Sequence, residues 1–185
     1  MENENPRHAG VDVQTVQHAL AGDQSALAQI YDAYARSIYR YHLSRVESVP
    51  DAEDLTSQTF MAVIEALPRY QHRNNFTAWI FQIARNKAMD HFRKTHSHSE
   101  INESMADPSQ SEALEAVVRS ESRARLKSLL HLLDEDEREL IRLRYTAELS
   151  FVEIAQLLGR KEDAVRKSIR RILDRLSIQM EAHHA

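Results

Sequence analysis

"SFVEIAQLLGRKEDAVRKSIRRIL", residues 150–173, predicts two short helices joined at Gly159. Ser150, with Glu153 three positions later, forms the pattern of a capping box, which marks the start of a helix. Gly159 ends that helix, because glycine adopts the positive φ of a tight turn at little cost. The second helix has a predicted buried stripe made by Val165, Ile169, Ile172, Leu173 and Leu176. Its opposite side is basic, so the pair is typical of a helix-turn-helix, whose second helix fits the major groove of DNA.

This basic helix belongs to an acidic chain, in which 24 basic residues stand against 28 acidic ones for a net charge of −4. The basic side chains concentrate in residues 69–94 and 138–175, and an acidic stretch separates these two islands. Basic islands of this kind are the footprint expected for contact with phosphates. A charged run is also typical of a solvated helix face, so charge alone does not establish nucleic-acid binding.

Length and composition predict an all-α chain of one domain or two small ones. The 185 residues include only three glycines and four prolines, and apolar residues recur at helical spacing. The absence of cysteine excludes disulfides and thiolate metal sites. The start, "MENENPRHAG", has no apolar core typical of a signal peptide, and no stretch has the apolar length of a membrane span. We therefore expect a soluble, cytoplasmic protein.

Four helices are predicted in the first half, at about residues 11–21, 24–46, 51–67 and 76–94. Pro50 marks the start of the third helix, and Pro68 follows its end. The inward stripe of the second helix is predicted as Leu27, Ile30, Tyr31, Tyr34, Ile38 and Tyr41. The inward row of the third is predicted as Leu55, Thr59, Val63 and Leu67. Four helices of this length make one compact bundle.

The helical pattern breaks at residues 95–112, "THSHSEINESMADPSQSE", which contain many serines and acids and few apolar residues. Such a segment buries too little surface to offset the entropy of ordering, and we expect a flexible acidic linker. Helical spacing then resumes, and a helix at about residues 135–146 is expected to place Leu140, Ile141 and Tyr145 inward. The predicted organisation is a bundle at 1–94, the linker at 95–112 and the helix-turn-helix domain at 113–185.

Three stretches resemble bacterial RNA polymerase sigma factors of the extracytoplasmic-function type. Residues 143–176 contain the pattern S-x-x-E-I-A, then L-G, then a valine and a basic cluster, as in region four of that family. Residues 51–70, "DAEDLTSQTFMAVIEALPRY", are similar to region 2.2. Residues 75–94, "NFTAWIFQIARNKAMDHFRK", look like regions 2.3 and 2.4. The resemblance covers about residues 11–176 and implies a two-domain factor that directs promoter-specific initiation of transcription.

The resemblance implies three groups of binding residues. The residues implied to contact the clamp helices of the largest polymerase subunit are Asp51, Asp54, Gln58 and Glu65. The residues implied to recognise and open the minus-ten element are His72, Arg73, Asn74, Asn75, Arg85, Asn86, Lys87, Arg93 and Lys94. The residues implied to recognise the minus-thirty-five element are Arg160, Lys161, Arg166, Lys167, Arg170, Arg171 and Arg175. Trp79 is expected in the core, with stacking on a base as the alternative.

The implied partners are the polymerase core, through its clamp helices and flap region, promoter DNA, and an anti-sigma protein as a further candidate. The chain departs from the family pattern at Ser57 and Gln58, where relatives often have glutamine and an acid. It also has Arg160 and Lys161 where an apolar residue and a capping Ser or Thr are usual. Neither side chain supplies a capping acceptor, so the recognition helix must begin differently.

Two other classes of protein fit the sequence less well. A stand-alone helix-turn-helix regulator accounts for residues 138–176 but gives the first four helices no role. An enzyme is not indicated, because no Gly-rich phosphate loop or nucleophile–base pattern occurs and no catalytic residue or cofactor is predicted. A metal site built from Asp90, His91, His96 and His98 is not predicted either, because these residues straddle a helix end without an i, i+4 ligand pair.

Overall fold

The computed structural model describes residues 10–71, 75–96 and 128–182, and every regular element in these ranges is helical. The N-terminal half contains four helices, α1 (Val13–Leu20), α2 (Gln24–Val46), α3 (Val49–Ala66) and α4 (Phe76–His96). A short 3-10 turn, Leu67–Arg69, follows α3. The four predicted helices are therefore confirmed, with ends that differ by at most two residues from the expected ones.

The first three helices begin at side-chain caps. Each capping oxygen accepts a hydrogen bond from a backbone N–H of the first turn, which satisfies a donor that the helix itself cannot pair. The caps are Asp12, Asp23 and Ser48. Because α3 begins at Val49 and includes Pro50 in its first turn, Asp51 is the acid of that turn. Glu53 and Asp54 lie further along α3.

The bundle core forms where α2, α3 and α4 meet. The predicted inward row of the third helix is confirmed, because Leu55, Thr59 and Val63 are buried on α3 and Leu67 is buried in the 3-10 turn that follows it. The predicted stripe of α2 is wrong at one position, because Tyr31 is 51% exposed and lies at the edge of the bundle. Its ring centroid lies 4.7 Å from that of Phe60, so the tyrosine covers the core from outside. An amphipathic tyrosine tolerates such a position better than an aliphatic residue does.

The C-terminal half consists of α5 (Glu135–Ile141), α6 (Phe151–Leu158) and α7 (Glu162–Ala182), preceded by a helical turn at 128–131. A π-helical segment, Arg142–Thr146, continues α5. The predicted inward position of Leu140 is confirmed, whereas Ile141 is half-buried and Tyr145 is 48% exposed. The wider π turn rotates side chains away from the 3.6-residue period, which accounts for the wrong prediction at Tyr145.

The helix-turn-helix has the local structure that its sequence predicts. The Ser150 hydroxyl accepts from the backbone N–H of Glu153, whose carboxylate accepts in turn from the Ser150 N–H. Gly159 has a φ of 62° and ends α6 in the left-handed conformation. The buried stripe of α7 is confirmed at Val165, Ile169, Ile172 and Leu176, and Leu173 is half-buried.

The two halves pack against each other, and one hydrophobic core runs through both. α2 contacts the π-helical segment, and α4 contacts α6. Leu143 and Leu149 lie in this shared region and are fully buried. The predicted linker lies outside the described residues except at its first two positions, so its structure stays a prediction.

Candidate nucleic-acid and polymerase interface

The acidic face of α3 points away from the bundle. Asp54 and Gln58 are both exposed, one helical turn apart, and the Gln58 side-chain amide donates to the Asp54 carboxylate over 2.5 Å. Glu65 is exposed on the same helix and Asp51 is half-buried in its first turn. The structure thus leaves three of the four predicted polymerase-binding residues exposed.

Two apolar side chains next to these polar residues were not identified from the sequence. Met61 is 63% exposed and Ile64 is 55% exposed, and both lie on α3 outside its buried row. Large apolar residues at exposed helix positions are common where a partner docks, particularly when polar groups surround them. The signal was present in the sequence, since neither residue falls on the row defined by Leu55 and Val63.

The loop before α4 contains the residues predicted to hold an unstacked base. His72, Arg73 and Asn74 lie outside the described residues. Asn75 is half-exposed immediately before α4, and its side-chain oxygen lies 3.4 Å from the hydroxyl of Tyr70, which donates to it. The side-chain oxygen of Asn75 is therefore held by a buried aromatic residue of the bundle core.

Trp79 belongs to an aromatic cluster at the start of α4. Its ring centroid lies 4.8 Å from that of Tyr70 and 5.3 Å from that of Phe76. The indole is half-buried against the core, in agreement with its expected core position. Part of the indole remains accessible to solvent.

The basic residues of α4 have different surroundings. Arg93 and Lys94 are exposed near the C-terminal end, and Arg93 pairs with Asp90 at 2.9 Å. Asn86 is exposed, and its side-chain oxygen accepts from Gln82. Lys87 is half-exposed. Arg85 differs from these residues, because its Nε lies 3.3 Å from the Glu139 carboxylate of the other half.

The outer side of α7 carries the cations predicted to meet the minus-thirty-five element. Lys167, Arg170 and Arg171 are all exposed, and no ion pair of theirs is seen within the described parts of the chain. The buried stripe lies on the opposite side of the same helix. An amphipathic helix that is apolar inside and cationic outside can approach a phosphate backbone without exposing its core.

The start of α7 explains how the helix forms without a capping Ser or Thr. The carbonyl of Lys161, the residue immediately before α7, accepts from the N–H groups of Ala164 and Val165 and so closes the first turn of the helix. Glu162 and Asp163 occupy the first turn, where acids stabilise the positive end of the helix dipole. Arg160 is exposed and donates to the Ser168 hydroxyl over 2.9 Å.

Arg166 and Arg175 are held by acids of the same half. Arg166 pairs with Glu162 at 2.7 Å, and its guanidinium lies 4.5 Å from the ring centroid of Phe151. Arg175 pairs with Glu137, and this hydrogen bond raises the pKa of the guanidinium. Both side chains are partly exposed, so water and salt screen these ion pairs and each contributes little to stability.

Within the described ranges, no helix combines the length and apolarity that crossing a membrane requires.

Known protein families match both halves of the chain. Residues 30–98 match the model of Sigma-70 region 2, and residues 129–177 match that of Sigma-70, region 4. The first range contains α3 and α4, and the second contains the helix-turn-helix. A helical bundle that matches region 2, followed by a helix-turn-helix that matches region 4, therefore defines a protein of the sigma-70 class.

Individual relatives agree with this assignment. The chain is 30% identical to the ECF RNA polymerase sigma factor SigD of Mycobacterium tuberculosis over 90% of its own length and 82% of SigD. It is 32% identical to the ECF RNA polymerase sigma factor BldN of Streptomyces coelicolor over 83% of its own length, although it spans only 60% of BldN. A solved structure of CnrH in complex with the cytosolic domain of CnrY matches with 27% identity and a TM-score of 0.67, covering 91% of this chain and 96% of CnrH. The chain belongs to the ECF family of RNA polymerase sigma factors.

Proposed function

We propose that this protein binds the core of bacterial RNA polymerase and directs initiation at promoters that carry its minus-ten and minus-thirty-five elements. The observation that carries the proposal is the presence of both sigma regions, in order, on one chain. The role is non-enzymatic, because the polymerase core performs the chemistry. The site of action is the bacterial cytoplasm, where the polymerase works.

The face of α3 is the proposed docking surface for the polymerase clamp helices. Asp54 and Glu65 give this face negative charge, which complements a basic coiled coil and speeds encounter. Met61 and Ile64 supply the apolar contact that an interface needs at its centre. The helix-turn-helix half is proposed to contact the flap region of the core.

The basic helices α4 and α7 are the proposed DNA-binding elements. Exposed Arg93 and Lys94 follow the phosphates near the minus-ten element, while the loop that ends at Asn75 receives an unstacked base. Lys167 and Arg170 on α7 enter the major groove at the minus-thirty-five element. A net charge of −4 is compatible with this role, because the core contributes further contacts to DNA.

An anti-sigma protein is a further proposed partner. This proposal is supported by the likeness to CnrH, which was solved with the cytosolic domain of CnrY bound to it. Co-purification of the tagged chain from its own host, followed by identification of a stoichiometric partner other than polymerase, tests it.

In vitro transcription with purified polymerase core and mapped start sites tests the main proposal. The double variant Asp54→Arg, Gln58→Arg is expected to compete for core at least about tenfold less well, because the two introduced positive charges repel the basic clamp. Asp32→Arg, at an exposed acid of α2, is the matched control and should compete as the parent does. Promoter binding by the chain alone, with no association with core, would instead identify a stand-alone helix-turn-helix regulator.

A further inference from the structure

Arg160 lies in the turn between the two helices of the helix-turn-helix, and hydrogen bonds hold both its backbone and its side chain. Its backbone N–H donates to the carbonyl of Ala155 over 2.9 Å, directly after Gly159, which is in the left-handed conformation. An Nη of its guanidinium donates to the hydroxyl of Ser168 over 2.9 Å. The side chain therefore reaches from the turn to the second turn of α7 and is fixed at both of its ends.

Ser168 lies where the buried side of α7 meets its cationic side. Its side chain is half-buried, whereas the next residue, Ile169, belongs to the buried stripe. Helical residues three and seven positions apart share one side, so Ser168 lies in a row with Arg171 and Arg175. At 1.5 Å per residue, these two arginines follow about 4.5 Å and about 10.5 Å further along the helix axis. The guanidinium of Arg160 is thereby placed at the N-terminal end of a row of cations.

The hydrogen bond with Ser168 leaves most of the binding capacity of Arg160 unused. A guanidinium carries five N–H donors, and the hydrogen bond to Ser168 uses one of them. The side chain is exposed, and no ion pair of Arg160 is seen in the part of the chain that the structure describes. Two parallel N–H groups of one guanidinium can donate to the same phosphate group. Arg160 therefore retains the donors that a contact with the DNA backbone requires.

A restrained arginine binds DNA better than a freely moving one. A long side chain loses rotamer entropy when it is ordered on a partner, and this loss opposes binding. Where the side chain is already held in the binding conformation, the loss is smaller and the apparent affinity is higher. The Ser168 hydroxyl is a neutral acceptor, so it restrains the guanidinium without cancelling the charge that attracts phosphates.

We propose that Ser168 is a positioning residue for promoter binding, which holds the guanidinium of Arg160 against the DNA backbone in line with Arg171 and Arg175. The contact is with a phosphate group, so it strengthens binding to all promoters alike and carries no sequence information. Ser168 acts through Arg160 and does not itself bind DNA. The inference rests on the proposed sigma function, because it concerns the same DNA-binding surface.

The mobility of the Arg160 side chain in the free full-length protein tests the restraint without DNA or polymerase. NMR relaxation of the side-chain Nε–H group should show an ordered Arg160 in the parent and a mobile one in Ser168→Ala, on the picosecond to nanosecond timescale. Alanine favours a helix more than serine does, so α7 itself should remain intact. Ser177→Ala, at an exposed serine further along the same helix, is the control and should leave Arg160 ordered. Equal mobility of Arg160 in the parent and in Ser168→Ala would disprove the restraint.

Promoter binding by the holoenzyme separates a positioning role from direct contact. Ser168→Ala should weaken binding by about fivefold at every promoter of a set that differs in the minus-thirty-five element, because fewer conformers present the guanidinium to DNA. Arg160→Ala should weaken binding by about tenfold. In the Arg160→Ala background, the additional change Ser168→Ala should alter affinity by less than about 1.5-fold, because the group that Ser168 positions is absent. A full fivefold loss in that background would show that Ser168 contacts DNA itself and would overturn the proposal.

The conservative variant Ser168→Thr retains the hydroxyl and should bind promoters within about twofold of the parent. A loss as large as that of Ser168→Ala would mean that the hydroxyl is not the cause, and a loss that differs among promoters would mean that Arg160 reads bases. Either result contradicts the inference. Failure of the parent itself to associate with core or to bind any promoter as holoenzyme would instead reject the proposed sigma function, whatever the mobility of Arg160.

Discussion

The guanidinium of Arg166 lies over the ring of Phe151, 4.5 Å from its centroid, and so connects the two helices of the helix-turn-helix. Arg144 approaches the same ring at 4.4 Å. A cation over an aromatic face is worth about 0.5–2 kcal/mol, depending on its exposure to water. Phe151 therefore does more than fill space at the start of α6, because it also orients a side chain predicted to read DNA.

Replacement of Phe151 by leucine is expected to lower the free energy of unfolding by about 1–2 kcal/mol, from lost packing and from loss of both cation–ring contacts. Urea unfolding followed by circular dichroism measures this change. Val152→Ala, at a neighbouring exposed position of α6, is the control and should change stability by less than about 0.5 kcal/mol. Equal effects of the two substitutions would mean that the ring makes no special contribution.

His42 is the basis of a prediction about pH. The imidazole is fully buried beside Thr59, and burial, followed by the charge of Arg45 and then that of His91, lowers its pKa to about 4. The unfolded chain takes up a proton near pH 6.5, whereas the folded chain does so only near pH 4. The contribution of His42 to stability is therefore fully present above pH 6.5 and is lost as the pH falls from 6.5 towards 4.

Unfolding free energies at pH 7 and pH 5 test this sign. Between these values the parent should lose about 2 kcal/mol more than His42→Gln, which has no group that titrates there. His18→Gln, at an exposed histidine of α1, should lose as much as the parent. A smaller loss in the parent than in His42→Gln would show that the buried ring is charged in the folded protein.

Features set by neighbouring residues could be predicted from the sequence. The reciprocal cap between Ser150 and Glu153 and the positive φ of Gly159 each depend on a few adjacent positions. The buried row of α3 follows from the helical period alone. These local rules, combined with the resemblance to sigma factors, were sufficient for the fold class and for the order of the two halves.

Features that depend on distant contacts were missed. Glu139 lies in a run of acids that looks like a solvated first turn, and its partners Tyr41 and Arg45 are more than ninety residues earlier in the chain. The spacing of a regular α-helix predicts an inward Tyr145, whereas the chain forms a π turn there. Neither a tertiary ion pair nor a local change of helical period has a signature in the hydrophobic pattern.

The apolar part of the α3 face gives a prediction about the polymerase contact. Met61→Ser combined with Ile64→Ser should weaken core binding by about tenfold, because both side chains are more than half exposed and available to a partner. Folding should be unaffected for the same reason. Competition for core against a labelled parent measures the change, and Val13→Ser, at an exposed apolar residue of α1, is the control. Unchanged competition by the double variant would restrict the contact to the acidic residues.

The basic residues of α7 should separate into two kinds according to their place along the helix. A side chain that forms two hydrogen bonds with a guanine edge discriminates by about 1–3 kcal/mol at one base pair, whereas a phosphate contact weakens all sequences alike. Residues near the N-terminus of a recognition helix reach the bases. We therefore expect Arg166 and Lys167 to specify sequence, Arg171 and Arg175 to hold the backbone, and Arg170 to contribute to either.

Promoter activity of single alanine variants across a library randomised in the minus-thirty-five element tests this division. Arg166→Ala should relax preference at one or two positions, since the ion pair of Arg166 with Glu162 is exposed enough to be exchanged for a base contact. Arg175→Ala should lower all promoters evenly and reduce the salt dependence of binding by about one phosphate contact. Unfolding measurements on both variants control for lost ion pairs, because Arg175 also stabilises its own half through Glu137. Uniform loss of activity in every variant would mean that α7 anchors the protein to DNA and that sequence is read elsewhere.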